Sequence, residues 1–157
     1  MRIREAVRAL VLDPADRVLL VRFEFPTATV WAMPGGGIEA GETIDDALQR
    51  ELTEELGLVG VDIGPAVWER THIIPIFDGA WDGQHERIHL VRVESFEPQP
   101  KLGWDELNRE LIFEMRWWTP AEVAASTDSV FAPRRLGEHL AELLRGGPPA
   151  EVLDVGI

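Results

Sequence analysis

The chain has 157 residues, a formal net charge of −13 and no cysteine. This length predicts a single domain over residues 1–157, with a loop-like tail from about residue 146. The absence of cysteine excludes disulfide bonds, thiolate nucleophiles and zinc–cysteine clusters, and the negative charge argues against nucleic acid polymers as partners. No apolar run approaches the roughly 18 residues of a membrane span, so we expect no membrane partner and a cytoplasmic location.

The amino-terminal half predicts strands around a glycine-rich turn, followed by one helix. Residues 4–12 and 18–23 are aliphatic runs separated by a turn that contains Asp and Pro, a pattern typical of a β-hairpin. The three glycines at 35–37 predict a loop. The next helix has a start signal in Thr43 and Asp46, which can form a capping box, and a stop signal in Gly57.

The carboxy-terminal half predicts further strands and then helices. Extended segments are expected at residues 59–69, 71–77, 87–93 and 113–118. A short helical turn is expected at residues 105–111, a helix begins after the cap Thr119, and an amphipathic helix runs from Pro133 to about Arg145. This order of elements predicts an α/β protein of the α+β type, with a mixed sheet between helices.

The helix after the glycines places carboxylates on the face that should be buried. At about 100° per residue, Glu51 and Glu55 fall on the same stripe as Ala47 and Leu48. With Glu54 they stand at positions i, i+3 and i+4, so their oxygens converge. A glutamate-rich helix is usually a solvated surface, but buried carboxylates need a positive partner. Hard oxygen ligands favour Mg²⁺ or Mn²⁺ over zinc.

Nine positions at fixed spacing connect this helix with the glycines before it. The pattern is G-x5-E-x7-R-E-U-x-E-E-x-G-U, with U a bulky aliphatic residue, and its positions hold Gly36, Glu42, Arg50, Glu51, Leu52, Glu54, Glu55, Gly57 and Leu58. This segment resembles the signature of the Nudix hydrolases. Residues 31–35 are also similar to the approach to that signature, and residues 113–123 more loosely resemble the final strand and helix of the family.

The resemblance implies a fold, a reaction and a partner. The fold would be a Nudix-like α/β/α sandwich in which a catalytic loop and helix follow the glycine-rich turn. The reaction would be that of a Mg²⁺-dependent pyrophosphohydrolase, with Mn²⁺ as a substitute, in which water attacks phosphorus and breaks a diphosphate bond. The partner would be a small-molecule nucleoside diphosphate linked to another moiety, and a homodimer is compatible with the family.

The resemblance also assigns roles to individual residues. The implied catalytic and metal-binding carboxylates are Glu51, Glu54 and Glu55. Arg50 would form an ion pair that orients one of them, and the carbonyl of Gly35 would complete the metal shell. The family usually supplies one more acid from a late loop, and we expect Glu110 in this role, with Glu106 as the next candidate.

Substrate contacts are expected outside these glutamates. Gly36 and Gly37 would let the backbone approach the diphosphate closely. Arg22 and Arg70 lie near the ends of predicted strands and are candidates for phosphate contacts. A surface position is the competing interpretation of both arginines.

The alternative function is a sensing domain of the same fold that binds a nucleotide sugar without cleaving it. Such domains tend to lose acids of the motif, and this chain has all of them. The isoprenoid diphosphate isomerases that share the fold are described with a catalytic cysteine, which is absent here. Oxidised nucleoside triphosphates, ADP-ribose, nucleotide sugars and dinucleoside polyphosphates all remain candidate substrates.

Overall fold

The structure, a computed structural model, describes residues 1–157. Its strands are β1 (Ile3–Leu12), β2 (Val18–Glu24), β3 (Thr29–Ala32), β4 (Gly35–Gly37), β5 (Ala66–His72), β6 (Gly83–Arg92), β7 (Ile112–Trp118), β8 (Phe131–Ala132) and β9 (Leu153–Asp154). Its helices are α1 (Ile44–Leu56), α2 (Trp104–Arg109), α3 (Pro120–Ala125) and α4 (Leu136–Gly146). None of these helices combines the length and the apolar character needed to cross a membrane.

Strand β1 lies at the centre of one mixed sheet. It pairs in parallel with β6 along its whole length, from Ile3 opposite Gly83 to Leu12 opposite Arg92. It meets β2 only where Leu12 faces Val18. The predicted hairpin therefore opens directly after its turn, and β2 continues into antiparallel pairs with β3 and β7. This divergence leaves an edge of β1 on which β4 pairs instead.

Helices cover the sheet on both faces. On one face, α1 contributes Leu48 and Leu52 to a core shared with β1 and β2. On the other face, α4 contributes Leu136 and Leu140 to a larger core that also contains Trp68 of β5. Because successive side chains of a strand point to opposite faces, the same strands supply both cores. The predicted mixed sheet between helices is confirmed.

Helix α1 begins and ends at the residues that its sequence predicts. The hydroxyl of Thr43 accepts the N–H of Asp46 at 3.1 Å, and the carboxylate of Asp46 accepts the N–H of Thr43 at 3.2 Å. At the other end, Gly57 adopts the left-handed φ of 76° that closes the helix. The caps fix the ends of the helix, and the packing of Leu48 and Leu52 on the sheet buries Glu51 and Glu55, which lie on the same face.

Four segments differ from the sequence prediction. Residues 35–37 form strand β4 rather than a loop, because their backbone pairs with β1. Residues 59–65 are not a strand, since Gly60 has a φ of 65° and proline follows at 65, so β5 starts only at Ala66. The strand expected over 71–77 ends at His72. The tail, expected to be loop-like, contains β9, which pairs with β5.

Candidate active site

Strand β4 brings three glycines between β1 and α1. Gly35 has a φ of 141°, and a Cβ at this position would overlap the carbonyl oxygen of Val7 on β1. A Cβ at Gly36 would lie 2.5 Å from Oε1 of Glu51. Any side chain here would displace either the central strand or the carboxylate, so the close approach of β4 to both requires glycine.

Two acidic side chains of α1 are buried against β4. Glu51 is 8% exposed and Glu55 is 2% exposed. The N–H of Gly35 donates to Oε2 of Glu55 at 3.3 Å. Burial and the neighbouring charge of Glu51 raise the pKa of Glu55 well above its ordinary value, although Arg8 opposes this effect. Glu55 takes part in none of the ion pairs of the structure.

Arg50 links β4 to the acidic residues of the motif. It donates to the carbonyl of Gly37 at 3.1 Å. The carboxylates within ion-pair distance of its guanidinium are Glu42 (2.7 Å), Glu51 (3.0 Å), Glu54 (3.6 Å) and Glu39 (3.8 Å). The hydrogen bond from Arg50 lowers the pKa of Glu42 to about 2. Arg50 therefore occupies the place from which it can orient Glu51, and Glu42 holds Arg50 in turn.

A cleft of about 520 Å³ lies beside these residues. Its acidic lining consists of Glu5, Glu39, Glu51, Glu54, Glu106 and Glu110. Glu110 directly follows α2, and burial together with the charges of Glu51 and Glu54 raises its pKa. Glu106 lies one turn earlier on α2. The structure thus brings both late-acid candidates to the same cleft as the glutamates of the motif.

Arg22 and Arg70 do not line this cleft. Arg22, on β2, pairs with Glu24 and, at 3.0 Å, with Glu114. Arg70 is 8% exposed, pairs with Glu86 at 2.9 Å and donates to a carbonyl of the tail at 3.1 Å. Both guanidinium groups are bound by partners within the protein, so the structure does not join them to the glutamate site.

A second polar cluster, formed by Arg8 and Glu86, touches β4 and was not predicted from the sequence. Arg8 pairs with Glu86 at 2.8 Å and donates to the carbonyl of Gly35 at 3.4 Å. Burial disfavours ionised Glu86, but Arg8 and Arg70 together lower its pKa to about 2. A signal was present in the sequence, because Arg8 and Glu86 precede the core residues Leu10 and Ile88 by two positions and therefore share their face.

The donor atoms of the site suit a hard divalent cation. No three acidic or histidine side chains are already arranged as a metal-binding group. The available side-chain donors are nevertheless carboxylate oxygens, and Glu55 is buried beside Glu51 without an ion-pair partner. Glu51 has Arg50 at 3.0 Å, and a divalent cation would supply the positive partner that Glu55 lacks. Because oxygen ligands favour Mg²⁺ and Mn²⁺, the residues fit the metal that the resemblance implied.

A family model matches most of the chain. Residues 2–140 match the model described as NUDIX domain. The chain belongs to the Nudix family. The prediction made from residues 36–58 is confirmed, and so is the prediction of a hydrolase of this family.

Individual relatives give the same family. Nudix hydrolase 25 from Arabidopsis thaliana is 30% identical over 122 residues, which are 69% of each of the two chains. The nucleoside triphosphatase NudI from Salmonella typhimurium is 46% identical over 63 residues, 39% of this chain and 43% of that protein. The match to NudI therefore spans less than half of the length of that protein.

A solved structure has a similar fold over most of the chain. The Nudix domain of NrtR from Shewanella oneidensis, complexed with ADP ribose, has a TM-score of 0.67 with this chain at 20% identity. The match covers 92% of this chain and 90% of that one. At this identity the likeness concerns the fold, and the chemistry has to be argued from the site itself.

Proposed function

We propose that this Nudix protein is a Mg²⁺-dependent pyrophosphohydrolase acting on a nucleoside diphosphate linked to another moiety. Water attacks phosphorus and the diphosphate bond breaks, giving a nucleotide and a phosphorylated remainder. The observation that carries the proposal is the buried Glu55, which lies beside Glu51 and an acidic cleft without an ion-pair partner. Because carboxylates line the cleft, it attracts an anionic polyphosphate only when cations lie between the carboxylates and the phosphates.

Residues of α1 and β4 would hold the metal. Glu51 and Glu55 are the proposed principal ligands, with Glu54, Glu110 and the carbonyl of Gly35 as further donors. When bound, Mg²⁺ would neutralise charge on the diphosphate and make a bound water more acidic. Arg50 contacts Glu51 at 3.0 Å and Glu54 at 3.6 Å, so it restrains both carboxylates before the substrate arrives.

Two carboxylates of the cleft are our candidates for taking the proton of the attacking water. They are Glu54, whose side chain is 28% exposed, and Glu110, which directly follows α2. Burial, with the charge of Glu51, raises the pKa of both groups. Such a rise brings a carboxylate closer to the pKa that suits a general base near neutral pH.

The comparisons guide the choice of compounds to test. ADP-ribose is bound by the Nudix domain of NrtR, and NudI is a nucleoside triphosphatase. We infer that the first candidate substrates are small-molecule nucleotides, namely ADP-ribose and nucleoside triphosphates. Nucleotide sugars and dinucleoside polyphosphates complete the set of compounds to test. The formation of a homodimer stays a prediction.

The test is hydrolysis of this set by the purified protein. Each compound is incubated with Mg²⁺, with Mn²⁺ or with EDTA, and released nucleotide or phosphate is measured. We expect hydrolysis of one class of compound in the presence of metal and none with EDTA. Binding of a compound in calorimetry without hydrolysis of any compound would overturn the enzyme proposal and favour the sensing domain.

A further inference from the structure

Two arginines line the acidic cleft, and their surroundings differ. Arg50 is in contact with four carboxylates. Arg4, on β1, forms no ion pair in the structure, although it lines the same cleft. Arg4 is thus the cationic side chain of this cleft that has no ion-pair partner within the protein.

Neutral contacts hold the guanidinium of Arg4 in place. Its Nη1 donates to Oε1 of Gln84 at 2.9 Å, and its Cζ lies 4.6 Å from the centre of the Phe77 ring. Arg2, just before β1, pairs with Asp82, and Arg8, within β1, pairs with Glu86. Arg4 is therefore held by neutral contacts and, unlike these two arginines, has no ion-pair partner.

The guanidinium of Arg4 lies next to the metal-binding carboxylates. It packs against Gly37 so closely that a Cβ at this glycine would overlap it, and the preceding glycine, Gly36, contacts Glu51 in the same way. None of the hydrogen bonds in the structure uses Nη2 of Arg4. Arg4 lines the same cleft as Glu51 and Glu54, so a group bound there can meet these carboxylates and the guanidinium of Arg4 together.

An anion would improve the electrostatic environment of Arg4. Burial and the nearby charge of Arg8 lower the pKa of Arg4, and the charges of Glu51, Glu86 and Glu110 oppose this effect only in part. A planar guanidinium presents parallel N–H groups that match two oxygens of a phosphate, and such charge-assisted contacts are among the stronger hydrogen bonds.

We propose that Arg4 binds a non-bridging phosphate oxygen of the substrate and thereby selects compounds with an anionic group at this end of the cleft. The inference rests on the proposed function, because it takes the diphosphate to lie against β4. The competing role for Arg4 is purely structural, as a support for β4 and for the loop that carries Phe77. The two roles differ in what a variant changes: substrate affinity in the first, stability in the second.

The experiment measures KM and kcat separately for the variants R4Q and R4K on the compound that the wild type hydrolyses best. We expect R4Q to raise KM at least about tenfold with little change in kcat, since losing a hydrogen bond to a charged group weakens binding to that extent. The inhibition constant of inorganic pyrophosphate should rise in parallel. R4K should recover part of the loss, because lysine keeps the charge without the planar fork.

Two further variants test whether the effect on KM is specific to Arg4 and its support by Phe77. R116Q removes an arginine that also lies over a ring, 3.8 Å from Trp118, but outside the cleft, and it should leave KM unchanged. F77L removes the ring under Arg4 at a side chain that is 63% exposed, and it should raise KM about two- to fivefold without unfolding the protein.

The outcomes separate this inference from the proposed function. If the wild type hydrolyses no compound, the proposed function fails. If the wild type is active and R4Q matches R116Q in KM and in pyrophosphate inhibition, the role of Arg4 is overturned while the function stands. A fall in thermal stability of R4Q with unchanged KM would assign Arg4 the structural role instead.

Discussion

Two ionic clusters contact β4, and their charge balance is opposite. In the first cluster, one guanidinium, that of Arg50, contacts four carboxylates, and Glu55 is buried nearby without an ion-pair partner. In the second, two guanidinium groups, those of Arg8 and Arg70, contact the single carboxylate of Glu86. The first cluster has an excess of carboxylates, and one of them has no ion-pair partner, whereas in the second cluster the only carboxylate is paired with two arginines. In this molecule, a buried carboxylate without an ion-pair partner, rather than burial alone, distinguishes a place for a cation from a structural contact.

The variant E55Q should produce the largest effect on activity. Glutamine keeps the size of the side chain but cannot provide a charged oxygen to a cation, so we expect kcat/KM to fall by about 10²- to 10³-fold. The amide carries no charge to bury, so the free energy of unfolding measured in EDTA should be unchanged or higher. The two measurements are steady-state kinetics and urea denaturation.

The same variant can contradict the comparison between the clusters. A stability loss of several kcal/mol in EDTA would mean that Glu55 already has its positive partner within the protein. Full activity of E55Q would remove α1 as the metal site. With either result, the first cluster would be a structural contact like the second cluster rather than a place for a cation.

The variant E86Q should have the largest effect on stability. Arg8 and Arg70 would stay buried without their carboxylate, which costs about 3–5 kcal/mol when one partner of a buried ion pair is removed. Urea denaturation at neutral pH measures this change. A loss below about 1 kcal/mol would show that solvent or the tail carbonyl beside Arg70 replaces the carboxylate, and the two arginines would then not depend on Glu86.

Acid denaturation gives a second test of Glu86. Its pKa is lowered from 4.5 to about 2 in the folded protein, because the attraction of two arginines outweighs burial. A lowered folded-state pKa stabilises the protein above the unfolded-state value of about 4.5, and this stabilisation is lost as the pH falls towards 2. The wild type should therefore lose stability over this window more steeply than E86Q. Parallel acid curves for the two proteins would contradict the assignment.

The two clusters also differ in how far the sequence predicts them. The first cluster depends on local pattern: the caps Thr43 and Gly57 set the helix, and the helical period then places its acids on one face. The second depends on pairing between distant strands, since Arg8 and Glu86 are 78 positions apart and meet only because β1 and β6 align. Arg70 shows the consequence, because the sequence predicted it near a strand end, whereas it lies within β5 beside its partner Glu86 on β6.

The variant G36A tests whether activity depends on the position of the Glu51 carboxylate as well as on its charge. A Cβ at this residue would lie 2.5 Å from Oε1 of Glu51, so the carboxylate has to move while all charges stay the same. A displacement of this size in a catalytic group should lower kcat/KM by about tenfold or more. Because the displaced atoms end a flexible side chain, the free energy of unfolding should change by less than about 1 kcal/mol.

The matched control is G146A, at a glycine near the end of α4 where no atom lies within 4 Å of the added Cβ. It should retain full activity and gain slightly in stability, since alanine suits a helix better than glycine. A fall in activity for G36A alone would show that the unbalanced carboxylates also have to be held in one place. Full activity for both variants would mean that the excess of negative charge suffices, and that the narrow gap between β4 and α1 serves packing only.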